Sequence, residues 1–137
     1  MKDLLILLAT KYLWLFETYR FRIVDSQCNT SFGGQGFIEL ENGVLRLRFI
    51  KDRGEPYVEV VPLLLPDWPE DSAITVDLLY QEIVGEIRDV TVVCNETTEF
   101  LRENFAAVSE LFQGGSGESL HKRFSTLKSA RAKRLFG

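Results

Sequence analysis

The stretch Gly36-Phe-Ile-Glu-Leu-Glu-Asn-Gly-Val-Leu-Arg-Leu-Arg-Phe49 decides the fold. Apolar and charged residues alternate on both sides of Asn42-Gly43, the pattern of two strands with one buried face. Asn-Gly is the strongest short-range hairpin signal, because a type I′ turn needs positive φ at both central residues. A two-residue loop there sets Glu41 opposite Val44, Leu40 opposite Leu45, Glu39 opposite Arg46 and Ile38 opposite Leu47. The pairs then sort by chemistry, with the leucines and isoleucine on one face and a Glu39–Arg46 ion pair on the other.

Outward from the hairpin, Phe21-Arg-Ile-Val24 and Tyr57-Val-Glu-Val-Val61 have the β-branched and aromatic content of strands. Arg53-Gly54-Glu55-Pro56 supplies a turn before the last of them, and Gly33-Gly34-Gln35 reads as a bulge or loose turn. Four strands in sequence predict an antiparallel meander with one wet face and one face covered by helices.

Helical spacing governs both ends. Leu4, Leu5, Leu8, Tyr12, Leu15, Phe16 and Tyr19 gather on one helix face, whereas Leu7 and Trp14 fall among the polar residues. Those two are either covered by another element or offered to a protein partner. Thr75 to Val84 predicts a short helix stopped at Gly85. Asp89-Val-Thr-Val-Val-Cys94 has strand composition but shares the apolar phase of the helical segment after it, which favours helix. Glu96 to Phe112 predicts an amphipathic helix with Phe100, Leu101, Phe105, Val108, Leu111 and Phe112 inward and Glu99, Arg102, Glu103 and Glu110 outward. A last helix begins near Glu118, with Leu120, Phe124, Leu127 and Leu135 as a thinner stripe. The fold class is therefore α+β: an N-terminal helix, a four-stranded antiparallel meander, then C-terminal helices packed on one sheet face. At 137 residues, 45% hydrophobic and 26% charged, residues 1–137 fit a single domain ending in a basic helix, 118–137.

Pro62-Leu-Leu-Leu-Pro-Asp-Trp-Pro-Glu-Asp71 predicts a surface loop rich in proline and acid. Trp68 within it is either a lid on the core or an aromatic anchor for a partner, and Asp67, Trp68, Glu70 and Asp71 form the first candidate binding surface. Leu7 and Trp14 form the second. Charge is uneven: residues 1–120 hold all 20 acids and 10 of the 16 bases, a balance of −10, and residues 121–137 hold the other six bases. His121, Lys122, Arg123, Lys128, Arg131, Lys133 and Arg134 spread around the last helix, as expected for a helix attracted to its own acidic body.

Motifs for chemistry are missing from the sequence. Cys28 and Cys94 lack the close spacing of zinc or redox pairs and read as buried free thiols. The single histidine, His121, has no nucleophile motif beside it, and Gly114-Gly-Ser-Gly117 lacks the lysine of a phosphate-binding loop. The expectation is no catalytic residue, no metal and no small-molecule cofactor. The first apolar run is too short to span a bilayer, and no small-residue cleavage site comes after it, so the expected location is cytoplasmic, with no membrane partner.

Leu45-Arg-Leu-Arg-Phe-Ile-Lys-Asp-Arg-Gly54 with Val58-Glu-Val60, Glu99-Phe-Leu-Arg-Glu-Asn-Phe105 and Ala132-Lys-Arg-Leu-Phe-Gly137 resembles a family of short, mostly uncharacterised bacterial α+β proteins. The small acidic plan is also similar to immunity proteins that neutralise bacterial toxins. That resemblance implies a non-catalytic module binding a basic protein, a toxin, and assigns no residue roles. The alternatives are a nucleic-acid-associated protein using residues 121–137, a structural homo-oligomer, and an enzyme whose site is assembled only in three dimensions.

Overall fold

Asn42 does not enter a type I′ turn. In the computed structural model, which describes residues 2–29, 35–52, 54–70 and 72–137, its side-chain oxygen accepts from the backbone N–H of Val44 (3.0 Å) and Leu45 (3.1 Å). Its amide nitrogen donates to the Tyr19 carbonyl at 3.1 Å. Gly43 takes φ +90°, while Asn42 stays out of the positive-φ region. The side-chain turn leaves four residues, 42–45, between the first paired residues of the hairpin and corrects the expected register by two: Glu41 faces Arg46, Leu40 faces Leu47, Glu39 faces Arg48 and Ile38 faces Phe49. A slip of two preserves every residue's face, because side chains alternate with period two.

The hairpin strands are Gln35–Glu41 and Leu45–Lys51, here β2 and β3. The preceding strand, β1, runs Arg22–Asn29, longer than expected. Tyr57–Pro62 forms β4, and Ile74–Thr75 adds a short β5 beyond the four strands expected. The sheet is wholly antiparallel in the order β1-β2-β3-β4-β5. A bulge between Ile23 and Asp25 shifts the β1–β2 ladder by one residue. Of the expected turns, Gly33, Gly34 and Arg53 lie outside the described residues.

One buried cluster joins the sheet to the helices. Ile38, Leu40, Leu45, Leu47, Phe49, Val58 and Val60 supply the sheet side. The N-terminal helix is broken at Tyr12 into α1, Lys2–Lys11, and α2, Leu13–Glu17. Tyr12 is fully buried, edge-on to Phe49 at 4.9 Å, and its hydroxyl bonds the Thr98 hydroxyl at 2.9 Å. Burial lifts its phenol pKa to about 12. The buried stripe is narrower than expected: Leu4, Leu8, Tyr12 and Leu15 are inside, but Leu5, rotated about 100° from Leu4, is 48% exposed.

The later helices are α3, Val76–Val84, stopped by Gly85 at φ +86°; α4, Asn95–Leu111; and α5, Gly117–Phe136. Residues 89–94 are not helical, correcting the expected helix. Val92 forms a bridge with Tyr57, and the Val93 N–H donates to the Pro56 carbonyl at 2.7 Å, so β4 captures a segment whose apolar phase fits a helix equally well. The cysteines are free, as expected, but not buried. Cys28 is exposed because it lies on β1, where every residue from Arg22 to Cys28 is exposed, and half-buried Cys94 caps α4. No helix among the described residues is long and apolar enough to cross a membrane.

Replacing Asn42 by alanine removes two acceptor bonds and one donor bond at the turn that sets the central register. The expected loss is about 2 kcal/mol, read as a lower urea midpoint with an unchanged denaturant slope.

Candidate protein-binding surface

The sheet face opposite the core is built in rows, because directly opposed residues of antiparallel strands share a face, and α5 reaches it at the β5 end, where Arg131 donates to the Thr75 hydroxyl at 3.1 Å. One row crosses all five strands: Asp25, Glu39, Arg48, Glu59 and Thr75. Beside it run Arg22, Glu41, Arg46 and Val61 on one flank and Gln27, Phe37, Ile50 and Tyr57 on the other. Glu39 is only 7% exposed, because both arginines close over it. Arg48 reaches it at 2.6 Å and Arg46 at 3.4 Å, while Arg46 also holds Glu41 at 2.6 Å. The expected Glu39–Arg46 pair thus exists as the diagonal of a four-charge network. Arg48 also lies over the Phe37 ring, 5.2 Å from its centroid. Burial pushes the Glu59 carboxyl above its ordinary range, partly offset by Arg48 and Lys128.

Asp67 and Trp68, the leading residues of the first candidate surface, are engaged with α5. The Asp67 carboxylate accepts from the N–H groups of Gly117 (2.9 Å) and Glu118 (3.0 Å) and from the Ser116 hydroxyl (3.1 Å). Ser116 in turn accepts from the Ser119 N–H at 3.2 Å, so the first N–H groups of α5 all have partners. Gly117 leaves room for this approach, since a Cβ there would press into the Asp67 carboxylate and crowd Leu65 and the Trp68 backbone nitrogen. These bonds hold the Asp67 pKa below its ordinary value of 3.8. Trp68 is 8% exposed, packed edge-on to Phe112 and His121, with its indole N–H on the Ser72 carbonyl at 2.9 Å. It is the lid of the two readings. Glu70 is exposed and lines a groove of about 300 Å³ with Arg46, Arg48, Glu59 and Ala73; Asp71 lies outside the described residues.

Leu7 and Trp14 pack against the same core at another place. Both are half-buried against the core, and Trp14 packs edge-on to Phe105 at 5.4 Å and Tyr19 at 5.8 Å. The two candidate surfaces are therefore not brought together.

The basic helix closes onto the acidic body. Arg123 pairs with Glu82, Arg131 with Asp77 at 2.7 Å, and Arg134 with Asp89 at 2.5 Å. Asp77 is buried and also accepts from the Thr75 hydroxyl at 2.5 Å. Beside these pairs a cleft of about 390 Å³ is lined by Tyr57, Thr75, Arg131 and Phe136, the last 87% exposed. His121 Nε2 meets the Ser72 hydroxyl at 3.0 Å, a contact across 49 positions for which the sequence carries no signal. Among the described residues no group of three or more His, Cys, Asp or Glu is arranged to hold a metal ion.

Helical spacing holds one further charged feature, which composition alone does not mark as a binding surface. Glu96, Glu99, Glu103 and Glu110 of α4 fall within about 60° of one another around the helix axis, and all are exposed. Arg88 approaches Glu96 at 3.6 Å; Glu99, Glu103 and Glu110 make no ion pair among the described residues. No protein-family model, curated protein or solved structure matches the chain.

A lowered folded-state pKa at Asp67 means its stabilisation is fully present above 3.8 and is lost as pH falls through the folded value. Asp67→Ala is expected to lower the urea midpoint at about pH 7, with the gap to wild type narrowing below about pH 3.5. A gap independent of pH contradicts the capping role of the charge.

Proposed function

We propose that the protein is a non-catalytic protein-binding module of the immunity type, which engages a basic toxin through its acidic surface. The observation supporting this reading is where the charge is neutralised. The tail arginines Arg123, Arg131 and Arg134 are each held by an acid of the body, whereas the α4 glutamates face outward as a single stripe. A field of one sign speeds the encounter with an oppositely charged partner, and like-signed partners such as nucleic acid are repelled. The nucleic-acid reading draws less support, because the tail's arginine charges are already paired within the chain.

The test is co-purification of the tagged full chain from its native host at low ionic strength. The expected result is a basic protein that elutes as salt rises and whose toxicity the chain suppresses. Glu99→Lys with Glu103→Lys is expected to slow association with that protein about tenfold, at unchanged stability. Recovery of no basic protein, or association insensitive to both reversals, overturns the reading.

A further inference from the structure

We propose that the outer edge of β1 is a homodimer interface, in which two copies pair antiparallel about a two-fold axis between Ile23 and Val24. The sheet's two edges are treated differently. At β4, the strand β5 and the Val92 bridge occupy the outer side. At β1, the end of the strand order, no described strand pairs outward, and every side chain from Arg22 to Cys28 is exposed. An unprotected strand edge is a template for another strand.

The chemistry of β1 selects a second copy as that strand. Because of the bulge, Arg22 and Asp25, three positions apart, share the open sheet face: Arg22 stands opposite Glu41 and Asp25 opposite Glu39. Asp25 therefore faces a carboxylate within its own chain, and it makes no ion pair among the described residues. A two-fold axis between Ile23 and Val24 sets Arg22 of each copy opposite Asp25 of the other. Both charges, which discourage an unrelated strand, become cross-strand partners. Between them Ile23 of each copy, 49% exposed, meets Val24 of the other, 41% exposed. The bulge points the same way. Against a regular strand its extra residue is left over, whereas against an identical bulge the two chains span equal lengths. Such an interface is isologous: the same patch serves both copies, and one continuous ten-stranded sheet results.

This inference is independent of the toxin reading, since α4 is a different element. Sedimentation equilibrium of the full chain at micromolar concentration tests it, with far-UV circular dichroism to confirm folding of each variant. Wild type is expected to dimerise. Arg22→Asp alone and Asp25→Arg alone each create two like-charge contacts per dimer and are expected to weaken it on the order of tenfold or more. The double variant, Arg22→Asp with Asp25→Arg, restores both pairs and is expected to return to the wild-type constant. A monomeric wild type, a dimer indifferent to the single reversals, or a double variant no better than the singles overturns the proposal.

Discussion

The side chain of Asn42 sets the sheet. By taking the N–H groups of Val44 and Leu45 onto its own oxygen, it replaces a backbone-only turn with a wider one and fixes which residue of β2 meets which of β3. The lateral arrangement of the sheet is set by that central pair. Glu39 comes under Arg48 and Arg46, and Phe37 comes under the Arg48 guanidinium. Phe49 meets Tyr12 on the other face, where the break between α1 and α2 is packed. The amide's remaining arm, on the Tyr19 carbonyl, ties the same turn to the end of the N-terminal helical segment.

A second set of contacts joins the two electrically opposite parts of the chain. Asp67 satisfies the start of α5, while Asp77 and Asp89 hold arginines near its end. These acids lie on three different segments, so the basic helix is located along its length rather than attracted diffusely. The Asp77 pair is the least exposed of them, with carboxylate and guanidinium 2% and 20% open to solvent. A pair so placed is strongly disrupted when one partner is removed, because the other charge is left buried.

The fold was legible where period and turn chemistry agree, as in the alternation through Ile38, Leu40, Leu45 and Leu47 and the helical spacing from Phe100 to Phe112. The register was legible only modulo two, because face is fixed by alternation but pairing depends on where one amide directs its hydrogen bonds. Residues 89–94 were not legible, since the Pro56 carbonyl that captures Val93 is distant in sequence. Composition marked Asp67 and Trp68 as unusual without giving their role, which needs Gly117, 50 positions away from Asp67. Burial of Cys28 failed as an expectation because β1 carries its side chains in the open, and nothing local to that residue reports this.

The coincidence of strand order with chain order has a kinetic meaning. Each strand after the first closes on its immediate predecessor, so the ladder assembles through local connections, the longest of them residues 63–73, and closure entropy grows only slowly with loop length. Helix α5 is different, since its anchorage on Asp67 closes a loop of 50 positions. Its docking is expected late in folding, so substitutions at Asp67 should act chiefly by accelerating unfolding, which the two limbs of a stopped-flow chevron separate from slower folding.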